Sequence, residues 1–385
     1  MKKRRIAIVI NSRANYGRIK SVLTEIKKLP GLELMIVVGA SALLYRFGNV
    51  KDIIEKDGFE ITTAVYSIVE GETPTTMAKS TGLAIMELAT IFENLKPDIV
   101  LTVADRFETI ATAIAASYMN IPVAHTQGGE VTGSIDESVR HAVTKLSHIH
   151  FPATKKSADI LIKMGELPET VHYTGCPAID MIADLDLKLP NDFFEKYLGV
   201  GEKIDPAKPY IVVLQHPVTT EYGQGLSQIN ETLTAVGAID MQTVWLWPNV
   251  DAGSDDISKG LRQYRELNTK SKIHFYRNFS VEDYARLISN SSCLIGNSSS
   301  AIREGAFLGV PGVNIGTRQQ GREKASNIVN VDYNAIEIQR AISSQINHEK
   351  YERSTLFGDG KAGERIAKIL STTEVSVQKR LSYTD

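Results

Sequence analysis

Short runs of β-branched and other apolar residues recur along the chain, and longer amphipathic stretches separate them. In the first half the runs are Ile6–Ile10, Leu34–Val38, Ile99–Val103, Pro122–Ala124 and Ile149–Phe151. Between them lie helical patterns such as Met77–Leu95 and Phe107–Met119. The runs are continuously apolar instead of alternating, which suits strands covered on both faces. Strands that alternate with helices in this way argue for βαβ units and a parallel sheet.

The rhythm restarts with Tyr210–Leu214, Thr243–Trp247, Lys272–Phe275, Cys293–Ile295, Val313–Ile315 and Ile328–Val331. Between the two series lies Asp184–Lys208, polar and punctuated by Pro190, Gly199, Gly201 and Pro206, which places a domain boundary near residue 190. The expected fold is α/β: two doubly wound, Rossmann-like domains, 1–190 and 191–362, facing a cleft. A final helical segment, 363–385, is expected to pack back on the first domain. A chain of 385 residues suits two domains of that size, each able to bury a core without covalent staples.

Composition narrows the partners. The formal net charge of −2 carries no basic excess, so a nucleic-acid footprint is not expected, and small molecules or other subunits are. The two cysteines, Cys176 and Cys293, are too few for a disulfide framework and fit a reducing compartment. The basic start Lys2-Lys3-Arg4-Arg5 leads into an apolar run that Asn11-Ser12-Arg13 cuts short, unlike a secretory signal. No stretch approaches the roughly 20 apolar residues that span a bilayer, so a cytoplasmic protein without membrane contact is expected. His148 and His150 share a strand face but have no third ligand at metal-site spacing. Gly358–Gly363 matches G-x-G-x-x-G without a strand before it, and reads as a turn and helix start.

In open parallel sheets ligands bind beyond the carboxyl ends of the strands, so the polar residues directly after each run are the candidates. Arg13 follows the first run and offers a guanidinium fork to phosphate, while a helix cap by Asn11 or Ser12 accounts equally for this segment. After Ile99–Val103, Asp105 suits acid–base work and Arg106 a phosphate; a capping box of Asp105 with Glu108 is the structural alternative. The fourth run ends in His125-Thr126-Gln127-Gly128-Gly129-Glu130, and a polar segment leads to Asp136, Glu137, Arg140 and His141 at a helix start. The helix dipole alone attracts acidic residues there. So many carboxylates, histidines and glycines after one strand exceed that need and favour a catalytic loop. In the second half His216 follows Leu214, where an imidazole can act as acid, base or phosphate donor. Asn249 lies in the loop after Thr243–Trp247. Asn297-Ser298-Ser299-Ser300 opens a helix whose N–H groups and hydroxyls can cradle a diphosphate, with Glu304 placed to accept from ribose hydroxyls. A serine N-cap is the plainer reading of that run. Arg318 follows Val313–Ile315 on the same rim.

Taken together, these segments resemble a known family. The matching motifs are Ser12-Arg13-Ala14-Asn15-Tyr16, Asp105-Arg106-Phe107-Glu108, Gly128-Gly129-Glu130, Ser134-Ile135-Asp136-Glu137-Ser138, Gln215-His216-Pro217, Gly296-Asn297-Ser298-Ser299, Arg303-Glu304 and Gly316-Thr317-Arg318-Gln319. They are similar to those of the hydrolysing UDP-N-acetylglucosamine 2-epimerases of sialic-acid and legionaminic-acid biosynthesis, over nearly the whole chain. The resemblance implies a glycosyltransferase-B-like fold and a reaction without metal or cofactor. UDP leaves anti to the carbon-2 proton, and the resulting 2-acetamidoglycal is hydrated to the free manno-configured sugar. UDP-sugar and UDP are the implied partners, and a homo-oligomer, dimer or tetramer, the implied state. Position by position, the resemblance implies catalytic roles for Asp105, Asp136 and His216, with Glu130 and Gln127 in the same loop. It implies nucleotide contacts from Arg13, Arg106, Asn249, Ser298, Ser299, Glu304 and Arg318, and puts Phe279 near the uracil. Gln127 stands where many members carry a catalytic glutamate. An amide cannot exchange a proton at neutral pH, so either Asp105, Asp136, Glu130 and His216 suffice or the substrate differs. UDP-N-acetylglucosamine is the leading substrate and UDP-2,4-diacetamido-2,4,6-trideoxyglucose its rival. A glycosyltransferase on the same scaffold and a catalytically inactive sugar-nucleotide sensor are the other classes.

Overall fold

A computed structural model of the protein describes residues 2–45, 49–103, 106–248 and 251–382. The chain forms two compact units: 1–130, 135–184 and 357–385 make the first, and 131–134 with 185–356 the second. Among the described residues the first unit carries six strands: β1 Arg4–Ile10, β2 Leu32–Gly39, β3 Thr63–Val65, β4 Ile99–Val103, β5 Val123–Thr126 and β6 Ile149–Phe151. The second carries seven: β7 Gly199–Gly201, β8 Tyr210–Leu214, β9 Gln242–Leu246, β10 Ile273–Tyr276, β11 Cys293–Gly296, β12 Gly312–Ile315 and β13 Ile328–Val331.

The first sheet runs β3-β2-β1-β4-β5-β6, parallel throughout. The second runs β13-β12-β11-β8-β9-β10-β7, parallel except for β7, which pairs antiparallel with β10. Each unit is therefore doubly wound. The chain builds outward from its first central strand and then returns to the other side, leaving a switch point between β1 and β4 and another between β8 and β11. Continuous apolar runs fit this plan because helices cover both faces: every residue of β4, β5, β11 and β12 is buried.

In the first unit Ile6, Ile8 and Ile10 face Val22 and Ile26 together with Ile366 and Leu370 of the helix Ala362–Thr372. Ala7 and Val9 face Leu88 and Phe92 on the opposite side. That last helix is the packed-back segment. Its start is held by Asp180, which accepts from Ala362 N at 3.0 Å and Gly363 N at 2.6 Å, so Gly358–Gly363 is a turn and helix start. Arg4 Nη1 closes the other end, donating to Leu370 O at 2.6 Å and Thr373 O at 2.9 Å. β3 and β7, three residues each, were not expected. β7 is wholly exposed and lies inside the polar stretch that reads as a boundary. Among the described residues no helix is long and apolar enough to cross a membrane.

Candidate active site

At the switch point of the first unit, Asn15 ties the two strand ends together. Its Oδ1 accepts from Asn11 N at 3.1 Å and its Nδ2 donates to Val103 O at 3.2 Å. Ser12 is the N-cap of the helix Arg13–Gly17, accepting from Asn15 N, and Arg13 stands half-buried at the first helical position. Asp105 lies outside the described residues. The capping box expected of Asp105 with Glu108 therefore lies partly outside them as well. Glu108 precedes the helix Thr109–Tyr118 without a side-chain cap bond, because Arg106 takes both its oxygens, Nε to Oε2 at 3.2 Å and Nη2 to Oε1 at 3.1 Å. The pair is buried, and its two-pronged geometry fixes the guanidinium plane.

Beyond β5, Gln127 is wholly buried with a left-handed backbone, φ 62°. Its N–H donates to Phe151 O at 2.9 Å and its side-chain Nε2 donates to Cys176 Sγ at 3.1 Å. Gly129 must be glycine: its φ is 77° and a Cβ there would overlap the Ser157 carbonyl. The segment 131–134 belongs to the second unit, where Gly133 N donates to Arg318 O at 3.1 Å and Gly133 O accepts from Thr220 Oγ1 at 3.3 Å. The helix Ile135–Leu146 then opens with Asp136, half-buried, and Glu137. Residues three and four apart share a helix face. Glu137 accordingly accepts from Arg140 Nη1 at 2.9 Å and lies 2.8 Å from His141 Nε2. Arg140, fully buried, also donates to Glu130 O at 2.8 Å. One guanidinium thus locks the Glu130 backbone to the helix that presents Asp136.

In the second unit Asn297 does at β8 and β11 what Asn15 does at β1 and β4. Its Oδ1 accepts from His216 N at 2.7 Å, and its Nδ2 donates to His216 O at 2.8 Å. The approach is close enough that a Cβ on the preceding Gly296, φ 121°, would overlap Leu214 O. The Asn297 carbonyl receives Arg318 Nη1 at 3.2 Å and Gln319 Nε2 at 2.8 Å. Ser298 caps the helix Ser299–Ile302, and its Oγ lies 3.1 Å from Ser300 Oγ, which in turn meets Tyr284 OH at 2.6 Å. Glu304, half-buried, starts the helix Glu304–Leu308. His216, Ser298 and Arg318 are therefore assembled on one buried asparagine and its neighbours. Asn249 lies outside the described residues. The ring of Phe279 is buried: it stacks on Phe193 with centroids 5.5 Å apart and packs against Tyr197 and Tyr276.

Sequence reasoning assigned no role to Asn15, Asn297, Gln319 or Cys176. The available signal was an asparagine in the helix that follows the first strand and another directly past β11. His148 and His150 serve the interior of the first unit. His148 Nδ1 accepts from Val123 N at 3.2 Å and its Nε2 lies 3.0 Å from Val377 O; His150 Nε2 lies 2.9 Å from Glu166 Oε2, off the direction of a hydrogen bond. Burial pushes both imidazoles below their ordinary value. Burial alone would raise the Glu166 carboxyl, but His150 and Lys379 outweigh it and hold it at about 2. Among the described residues no group of three or more His, Cys, Asp or Glu side chains gathers as a metal site.

Known proteins share this architecture. The family model described as UDP-N-acetylglucosamine 2-epimerase matches residues 24–371. A UDP-N,N'-diacetylbacillosamine 2-epimerase (hydrolyzing) of Legionella pneumophila is 33% identical over 375 residues, 97% of each chain. A UDP-N-acetylglucosamine 2-epimerase of Neisseria meningitidis is 29% identical over 383 residues, 98% of each. Among solved structures the chain is similar to the Methanocaldococcus jannaschii UDP-GlcNAc 2-epimerase in complex with UDP-GlcNAc and UDP, with TM-score 0.81 and 17% identity over 96% of this chain and 100% of that one. A UDP-GlcNAc 2-epimerase from Neisseria meningitidis bound to UDP-GlcNAc gives TM-score 0.80 and 18% identity, over 96% of this chain and 100% of that one. These likenesses show a two-domain α/β fold of the glycosyltransferase-B type. Matched by the family model over most of its length and by a hydrolysing relative over nearly all of it, the chain belongs to the family of hydrolysing UDP-N-acetylglucosamine 2-epimerases.

Proposed function

We propose that the protein converts UDP-N-acetylglucosamine to N-acetylmannosamine and UDP by elimination followed by hydration. The observation that carries this reading is the end-to-end similarity to a relative named as a hydrolysing 2-epimerase. The two switch points fit the chemistry. No carbonyl neighbours carbon 2 within the sugar ring, so its proton is poorly acidic and its removal has to accompany the departure of UDP from carbon 1. In the second unit His216, Ser298, Ser299 and Arg318 take the diphosphate, and Glu304 the ribose. Their N–H and O–H groups stabilise the charge that grows on the leaving oxygen. In the first unit the carboxylates of Asp105, Asp136 and Glu130 share the proton work, and Arg13 and Arg106 add positive charge. One carboxylate takes the carbon-2 proton while the carbon 1–oxygen bond breaks and its electron pair leaves with UDP. Water then adds to carbon 1, and a proton reaches carbon 2 from the opposite face. The product, a free 2-acetamido manno-sugar, suits sialic-acid-type biosynthesis.

A second reading, the same reaction on a UDP-diacetamido sugar, is favoured by the substrate in the name of the 33%-identical relative. Incubation with each UDP-sugar in deuterated water, followed by NMR, tests both. The expected result is UDP with a free manno-configured sugar deuterated at carbon 2. UDP release with protium retained there overturns the elimination.

A further inference from the structure

We propose that Cys176 is a positioning residue whose sulfur holds the Gln127 amide, so that residue 127 serves the reaction by hydrogen bonding instead of by proton exchange. The proposal deepens the epimerase reading above and rests on it for its kinetic part.

Gln127 is held at a cost. Its backbone is left-handed, φ 62°, a conformation unfavourable for a residue that carries a side chain. Gly129, two residues on, takes such a conformation freely at φ 77°, yet a long side chain occupies position 127. Backbone strain of this kind persists where the surroundings over-determine the residue. Here they do: Gln127 and Cys176 are both 0% exposed, and Nε2 lies 3.1 Å from Sγ. The sulfur is itself fixed. Cys176 N donates to Phe357 O at 2.7 Å, and the residue immediately precedes the helix Pro177–Ala183. Gly358 packs so closely that a Cβ there would lie 3.2 Å from Cys176 N.

The chemistry of the pair follows from its neutrality. A primary amide has a donor end and an acceptor end, so committing Nε2 to the sulfur sets the direction of Oε1. A carboxylate in the same wholly buried place would have to shed its hydration, and a neutral amide has far less hydration to shed. The contact therefore accounts for glutamine at a position on the same loop as Glu130 and directly after β5.

The test combines kinetics with a readout independent of turnover. UDP release is measured for the wild type, Cys176→Ala, Cys176→Ser, Gln127→Ala and the Cys176→Ala/Gln127→Ala double variant. The Gln127 side-chain amide is followed in 15N-glutamine-labelled protein, assigned by its loss in Gln127→Ala. Cys176→Ala is expected to lower kcat about tenfold with KM within twofold, and Cys176→Ser, which keeps an acceptor, to retain most of the rate. The double variant should be no slower than Gln127→Ala alone, and the amide resonance should move in Cys176→Ala but stay near its place in Cys176→Ser. Cys176→Val fills the volume without a hydrogen-bonding atom and replaces Cys176→Ala if that variant does not fold. A kcat within twofold of wild type, losses that multiply in the double variant, or an unmoved amide resonance would each overturn the proposal. A wild type that turns over no UDP-sugar refutes the epimerase reading, while the resonance still decides the pairing.

Discussion

Replacing Asn297 with alanine should unfasten the centre of the second unit. Asn297 is fully buried and holds both backbone groups of His216, at 2.7 and 2.8 Å. Truncation removes two part-buried hydrogen bonds, each worth about 0.5–1.5 kcal/mol, so the loss should be about 1–3 kcal/mol. The carbonyl of residue 297, which receives Arg318 and Gln319, survives the substitution, so the damage concentrates on His216. The chain has two tryptophans, Trp245 and Trp247, and both lie in the second unit. Urea unfolding followed by tryptophan fluorescence therefore reports that unit alone. With an m-value of about 2 kcal/mol/M, the midpoint should fall by about 0.5–1.5 M. Asn297→Asp has nearly the same volume but turns an oxygen toward His216 O, and should lose at least as much. A midpoint shift below about 0.3 M for alanine, or an aspartate variant close to wild type, would refute the hydrogen-bond argument and leave only packing.

In the first unit, Glu108→Ala removes the two-pronged acceptor of the buried Arg106 guanidinium and should cost about 2–3 kcal/mol, read as a lower calorimetric transition for that unit; Glu108→Gln should cost less. Glu166 has a folded pKa of about 2 against an ordinary 4.5, so its contribution is complete above pH 4.5 and is lost as pH falls toward 2, about 3 kcal/mol in all. His148 and His150, with lowered values, begin the loss below about pH 6.5 in the same direction. Melting scans should show this acid lability, and Glu166→Gln should flatten its lower part. Gly133→Ala would drive a Cβ into the Thr317 carbonyl and should lower the second unit's urea midpoint, whereas Gly31→Ala, which meets nothing, should not. Asp136→Asn should cut turnover far more than UDP affinity, and Arg318→Ala should mainly weaken UDP binding by calorimetry; equal losses in both would argue against their roles.

The residues that the chain presents locally were legible, and their connections were not. Continuous apolar runs marked eleven of the strands, because burial on both faces leaves its signature in consecutive residues. β3 and β7 escaped because three residues are too few for a period, and β7, exposed and glycine-bearing, has no apolar signature at all. Glu108 shows the limit of local rules. Its spacing alone suits a cap, while its oxygens bind a guanidinium two residues away that is buried with it.

By itself, the sequence determined the alternation of strands and helices, the two series of strands, and the polar residues that must stand at strand ends. Those properties depend on burial and backbone conformation over a few consecutive residues. Only the tertiary structure decided the strand order and the bonds that order makes possible: Asn15 to Val103 across 88 residues, Asn297 to His216 across 81, Gln127 to Cys176 across 49. A hydrogen bond needs its partners within about 3 Å in the right direction. For residues so far apart, only the order in which the strands lie side by side can bring them there.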